Sequence, residues 1–445
     1  MKTPIKLSDH FTYGKLIRFV FPSIVMMIFT SVYTVVDGLF VSNFVGKTPF
    51  VAINLIYPLI MILGAIGFML GTGGTAIVAK TLGQGERELA NRYFSMLVYV
   101  AVGAGIVLAA VGIPLLRPVS RMLGAKGEVL EYCILYGTII LAAMPCYMLQ
   151  FLFQSFFVTA EKPKLGLVIT VAAGLTNIVL DALFVAGFRW GLAGAAIATA
   201  MSQVVGGVTP VVYFARKNSS LLRLGKTRFY GKVLLRTCTN GASELLSNIS
   251  ASVVTVLYNF QLLHLAGEDG VAAYGVIMYV AFFFAAVFIG YSVGSAPLVS
   301  YQFGAENHVE LRNLYRKSLV FVGVSGIAMA LLSFLLSGPL SKLFVGYDAE
   351  LYTLTVRGFR FYAVSFLLSG FNIFGSSFFT ALNNGAISGT ISFLRALVFQ
   401  CLCILALPAV FGVDGIWSAV IAAELMSLLV TGGFLVRGRN RYHYA

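Results

Sequence analysis

The stretch NIVLDALF, Asn177 to Phe184, sets an amide and a carboxyl four residues apart in an otherwise apolar segment. Side chains at that spacing share one helical face, so Asn177 and Asp181 point the same way. Between Lys164 and Arg189, Asp181 is the only residue with a formal charge. A carboxylate that deep in a membrane helix costs at least about 2.5–3.5 kcal/mol, and residues of this kind mark ion and substrate paths. The competing reading is a protonated Asp hydrogen-bonded to a neighbouring helix. A second carboxyl, Asp37, lies in the apolar run VVDGLFVSNFVG. Two carboxyls with an amide and a hydroxyl form either an oxygen-rich nest for a hard cation or a pair whose mutual repulsion retains a proton.

Such residues need elements that hold them in the membrane. The 445 residues are 59% hydrophobic and 11% charged, with a mean hydropathy of +0.90, which makes the chain an all-α polytopic membrane protein. The opening MKTPIKLSDHFTYGKLIRF lacks the short apolar run and small-residue cleavage site of a secretory signal, so the first apolar segment is expected to stay as a span. Twelve runs are long enough to cross: roughly 16–45, 51–80, 94–115, 132–158, 163–187, 191–214, 234–263, 270–302, 314–338, 353–381, 386–411 and 415–436. Several exceed about 25 residues, which implies tilt or bending.

Basic residues give the orientation. Those at the N-terminus, the even-numbered connections and the C-terminus number 22, against 8 on the opposite side, so both termini are expected in the cytoplasm. Arg395 stands apart, about two turns into the eleventh run, and is expected to snorkel towards the inner surface. The net charge of +14 is spread over these loops and does not signal nucleic acid. The longest basic connection, Ala215 to Lys232, sits at the midpoint and reads as a linker on the membrane surface, in contact with lipid. The expected division is an N-terminal six-helix lobe (1–214), a linker (215–233) and a C-terminal six-helix lobe (234–445).

An offset of 221 residues superimposes landmarks of the two halves: Leu82–Gly83 on Phe303–Gly304, Thr159–Ala160 on Thr380–Ala381, and GLAGAA at 191–196 on GVDGIW at 412–417. Six spans per half make the repeats parallel, around a central cavity. The acids break the repeat, since Asp37 maps to Tyr258, Asn177 to Val398 and Asp181 to Leu402. Arg18 to Asp37 and Lys164 to Asp181 are 19 and 17 residues, so both carboxyls lie about 25–29 Å from the basic surface. Thr199, on the descending sixth run, is 10 residues from Arg189, about 15 Å below the outer face, so these groups could converge.

In these features the chain resembles the multidrug and toxic compound extrusion (MATE) transporters, especially their prokaryotic DinF-like branch. The likeness rests on the twelve spans in parallel halves, Pro22 in the first helix, VVDGLFVSNFVG, and NIVLDALF followed by GLAGAAIATAMSQ. It implies a V-shaped pair of bundles and secondary antiport: export of drug-like, amphipathic or cationic molecules in exchange for H+ or Na+, by rocking-type alternating access. The ion-coupling set it implies is Asp37, Asn177, Asp181 and Thr199, which are also the candidate ligands for Na+, with Tyr136 nearby. Bending at Pro22 would accompany protonation; a static kink is the alternative. Glu244 resembles an acid found in other branches, with a substrate or coupling role. The acid that some members carry in the tenth helix is absent. Glu424, which maps to Gln203, is either a cavity acid that attracts a cation or a neutral helix contact.

Other signals carry less. The five cysteines read as packing residues, and the four histidines fall near loops. GTGGTA at 71–76 lies inside a span with no following Lys, so it is a close-packing site and not a phosphate loop. No nucleotide motif or nucleophile–base pair is found, so the expectation is no enzyme, no covalent cofactor and a monomer in a prokaryotic inner membrane. The rival readings are a lipid-linked oligosaccharide or precursor flippase, which needs a cationic cavity, and a non-transporting membrane scaffold.

Overall fold

The computed structural model describes residues 5–40 and 44–445, apart from the side chains at positions 34, 35, 38, 39 and 47. Lys2, the Lys47 side chain and the Val41–Asn43 part of VVDGLFVSNFVG therefore lie outside the described residues. The regular structure is helical: α1 (Tyr13–Phe40), α2 (Lys47–Gly83), α3 (Arg87–Met122), α4 (Gly127–Ala142), α5 (Met144–Thr159), α6 (Pro163–Asp181), α7 (Gly191–Ala215), α8 (Gly231–Gly304), α9 (His308–Val345), α10 (Ala349–Ala381), α11 (Gly385–Phe393), α12 (Phe399–Ala406), α13 (Pro408–Phe411) and α14 (Val413–Tyr442). Single π-helical turns follow α6 (Ala182–Gly187) and α11 (Leu394–Val398).

Two elements differ from the runs read off the sequence. The fourth run is two helices, α4 and α5, meeting at 57°. Pro145 has no amide hydrogen to donate, and its ring disfavours helical geometry at Met144, so the bend falls there. The seventh and eighth runs form one helical stretch of 74 residues, interrupted only at Gly267 with φ 66° and ψ −155°. At about 1.5 Å per residue α8 is far longer than a hydrocarbon core of about 30 Å, so the chain reverses at Gly267, where a side chain would be strained. With α4–α5 as one span, α8 as two and α11–α13 as one, the chain crosses twelve times.

The 221-residue repeat holds at atomic detail. A Cβ built on Gly83 of α2 would fall 2.1 Å from the Tyr301 carbonyl oxygen, and one on Gly304 of α8 would fall 2.1 Å from the Lys80 carbonyl oxygen. Each position is the other's equivalent, so the two helix ends cross backbone to backbone on the repeat's axis. The turns that follow are also alike: Glu86 N–H donates to Thr81 O, and Asn307 N–H to Gln302 O. Higher up, Gly73 of α2 abuts Gly241 and Thr237 of α8, while Gly294 of α8 abuts Val20 and Ser23 of α1. Small residues let these helices pack where lipid offers no hydrophobic drive.

Polar segments seal one end of the bundle. The connection after α7 is pinned to the start of α3, with Arg87 donating to the Ser220 and Leu221 carbonyls and Asn91 Oδ1 accepting from Arg223 N–H. The segment before α1 buries Leu7 and Phe11 completely. Leu7 N–H donates to Glu161 Oε1 (2.6 Å) and Leu7 O accepts from Gln302 Nε2 (2.8 Å). Phe11 N–H donates to Glu310 Oε1 (2.9 Å), whose other oxygen meets His10 Nδ1 (2.6 Å). Its carbonyl accepts from Asn313 Nδ2 and Lys317 Nζ. One short segment thus joins the α5–α6 turn to the start of α9.

Two outcomes follow. Gly304→Val places carbon against a backbone carbonyl that cannot move aside, so the yield of folded, monodisperse protein in detergent is expected to collapse, whereas Gly103→Val, with open space around it, leaves yield unchanged. Glu161 stands in the turn between α5 and α6, where burial pushes its carboxyl above the usual 4.5. A raised acid favours the fold in its protonated form, so its contribution is complete below about pH 4.5 and is lost as pH rises through the folded value. Glu161→Gln keeps an acceptor for Leu7 N–H and removes that loss. A thermal melt of this variant between about pH 4 and pH 8 should show a shallower decline than wild type; equal slopes would exclude Glu161 as the source.

Candidate functional site

Asp181 ends α6 with its side chain wholly buried. Its Oδ2 accepts from Asn177 Nδ2 at 3.1 Å, one turn back, as the spacing requires. Its Oδ1 has no partner among the described residues. The π-helical turn that begins at Ala182 inserts an extra residue next to this carboxyl, a local irregularity common at functional positions. Asp37, on α1, stands beside both Asp181 and Asn177, and its own Oδ1 is likewise buried and unpartnered.

Four other helices close the cluster. Tyr136 of α4, 4% exposed, feels both carboxyls and neighbours the Thr199 hydroxyl. Thr199 of α7 donates to Ala195 O (3.0 Å), which leaves its oxygen lone pairs free to accept. Tyr33, one turn before Asp37, neighbours that carboxyl and also Gln150 of α5, and Tyr57 of α2 completes the ring. All five residues of the sequence-derived set therefore meet at one place. Tyr33, Gln150 and Tyr57 were missed. Tyr33 was open to detection, because it stands four residues from Asp37 as Asn177 does from Asp181.

Charge is the site's main property. Among the described residues, no lysine, arginine or histidine acts on either carboxyl. Two ionised carboxylates facing each other in a dry setting would repel and remain uncompensated, so the cluster demands a proton or a bound cation. Among the described residues no three His, Cys, Asp or Glu side chains converge. An ion here would draw on the two carboxyls, the Asn177 amide oxygen and the hydroxyls of Thr199 and Tyr136. That all-oxygen set fits a hard cation and not a soft transition metal.

The remaining candidates lie elsewhere. Glu424 of α14 and Arg395, in the π-helical turn after α11, form a bidentate pair: Nε to both carboxylate oxygens at 3.0 Å and Nη2 to Oε1 at 2.7 Å. Asn372 of α10 donates to Glu424 Oε2 at 2.7 Å. Arg395 does not snorkel, and Glu424 is neither an unpaired acid nor a neutral contact. At about 15 Å from either helix start the guanidinium is too deep to reach the surface, and pairing inward satisfies it. The carboxyl of Glu244 of α8 makes no hydrogen bond or ion pair among the described residues, but Arg395 acts on it. Gln203 of α7 is 5% exposed with its amide oxygen unpartnered. Pro22 is buried inside α1, which remains helical through it.

If the carboxyls are spare charges and not anchors, Asp181→Asn should leave the fold intact. Apparent thermal stability should hold or rise, since an unsatisfied buried polar group costs on the order of 1–3 kcal/mol. A drop of several degrees in a detergent melt would instead make Asp181 a structural tie.

Comparison with known proteins agrees with this architecture. The family model described as MatE matches the chain twice, over residues 22–183 and 245–405, a spacing close to the internal repeat. Multidrug export protein MepA of Staphylococcus haemolyticus (strain JCSC1435) is 24% identical over 432 residues, covering 96% of this chain and 94% of its own. MepA of Staphylococcus aureus (strain MSSA476) is 24% identical over 422 residues, covering 94% and 92%. Among solved structures, one of MATE in complex with MaL6 superposes with a TM-score of 0.91 at 21% identity, covering 99% of both chains. A MOP superfamily transporter from Pyrococcus furiosus Vc1 (DSM3638), described as having a binding pocket of reverse polarity, gives 0.88 at 21%, covering 97% and 96%. With the family model spanning most of its length in two copies, this twelve-span chain belongs to the MatE family of transporters.

Proposed function

We propose that the chain is a secondary antiporter that exports amphipathic or cationic small molecules in exchange for H+ or Na+. The observation that carries this reading is the pair Asp37–Asp181, each carboxyl with a buried oxygen that lacks a donor and neither with a basic partner among the described residues. Such a pair is stable only with a positive charge added, and loses that charge when water reaches it. Export by the MepA relatives, as their name states, supplies the substrate class.

In this mechanism Asp37, Asn177, Asp181, Thr199 and Tyr136 bind the coupling ion, and the two six-helix lobes, 1–214 and 234–445, rock about the glycine crossings while the 215–233 linker keeps them joined. An ion entering the N-terminal lobe neutralises the region that holds a cationic substrate, so each weakens the other's binding, and linkage makes the effect reciprocal. Straightening or bending at Pro22 moves Asp37 relative to α6. Glu244 and Gln203 face the substrate path. The positive-inside bias supports an inner-membrane monomer with both termini cytoplasmic, touching lipid and small molecules but no nucleic acid. The flippase reading loses its chief support, because the charge of Arg395 is matched by Glu424.

The test is export of a fluorescent organic cation from proteoliposomes, with pH and sodium gradients imposed separately. Wild type should respond to one gradient, and Asp37→Asn and Asp181→Asn should each lower the gradient-driven rate by about 5–150-fold, the span of ordinary coupling energies of about 1–3 kcal/mol. Export that ignores both gradients and both substitutions would remove the antiport reading.

A further inference from the structure

The Arg395–Glu424 pair lies in the middle of the membrane. Gly385 to Arg395 is 10 residues and Val413 to Glu424 is 11, so from opposite faces each side chain is about 15 Å deep in a core of about 30 Å. Arg395 is 24% exposed at its side chain and Glu424 5%. Three guanidinium–carboxylate contacts and the Asn372 amide occupy the Glu424 oxygens. Guanidinium Nη1 makes no bond, and the carboxyl of Glu244, close enough to feel Arg395, has no hydrogen-bonding partner of its own among the described residues. Under the 221-residue offset Arg395 maps to Gly174, Glu424 to Gln203 and Glu244 to Ser23, so none of the three belongs to the shared scaffold.

Set beside the N-terminal cluster, the arrangement has a plain electrostatic meaning. Both halves bury acids within the membrane, the N-terminal pair nearer the face opposite the basic loops and Glu424 at its middle. Among the described residues no base answers the N-terminal acids, whereas in the C-terminal half a base arrives on a π-helical turn that re-aims one residue inward. We propose that Arg395 is a tethered counter-cation: it holds from within the chain the place opposite Glu424 that a bound cation would otherwise fill, so the C-terminal half takes up no coupling ion and offers substrates one free carboxylate, Glu244. This rests on the antiport reading for the word coupling, but the electrostatic claim stands on the geometry alone.

The test is therefore a binding experiment on full-length purified protein in detergent, independent of transport. Arg395→Ala opens a space of guanidinium size beside an uncompensated Glu424. Millimolar guanidinium chloride, far below denaturing levels, should raise the melting temperature of Arg395→Ala by several degrees while leaving wild type and Arg395→Ala/Glu424→Gln unmoved. Equal responses in all three, or none in Arg395→Ala, would overturn the proposal. Should Arg395→Ala fail to fold, recovery of folded protein in the double variant supports the counter-charge role, and failure of the double variant assigns Arg395 to packing instead. A second arm uses sodium chloride on Asp181→Asn, which lacks the N-terminal pair. A sodium-dependent shift there that disappears with Glu424→Gln would also overturn the proposal, since it would reveal an ion site beside Arg395. Gradient-independent export with intact guanidinium rescue would sink the antiport reading and spare this one.

Discussion

The mutual approach of Asp37 and Asp181 without a base beside them is the constraint on which the N-terminal half is built. Water would screen two such charges at little cost, but six helices surround them, and the described residues supply neutral dipoles from Asn177, Thr199, Tyr136 and Tyr33. Neutral dipoles orient a proton or ion without replacing it. The enclosure is thus short of positive charge among the described residues.

The two halves share a scaffold and differ in how they settle a buried acid. Glycine crossings, helix-end turns and left-handed positions recur at a 221-residue spacing: Gly85 and Glu306, both at positive φ, close equivalent turns. The carboxyls do not recur. An antiparallel or unrelated packing would not produce reciprocal contacts between Lys80, Gly83, Tyr301 and Gly304. Repetition therefore marks what holds the lobes together, and its violations mark where each lobe has its own chemistry.

Much of this was legible in the residues. Spans longer than a bilayer, the repeat, and the convergence of Asp37, Tyr136, Asn177, Asp181 and Thr199 follow from hydropathy, spacing and depth, with family likeness supplying Tyr136. What escaped depends on geometry that one-dimensional pattern does not carry. Hydropathy runs through Pro145 without a break, so the bend there was invisible to it, whereas the polar interruption at 264–269 between the seventh and eighth runs already marked the reversal at Gly267. Arg395 has the same distance to the surface whether it points out or in; the π-helical turn that decides has no composition signal. The partners of Leu7 and Phe11 lie 154 to 306 positions away, beyond any local rule.

That last distance sets an order of assembly. Phe11 leaves the ribosome 299 residues before Glu310, its hydrogen-bond acceptor. At about 5–20 residues per second the gap is about 15–60 s. During that interval α1 through α8 insert while two large apolar side chains, fully buried in the finished protein, have no home. Docking of the leading segment therefore waits for the start of α9: a chain truncated before it holds Asp37 and Asp181 and still lacks Glu310, Asn313 and Lys317, the partners of Phe11.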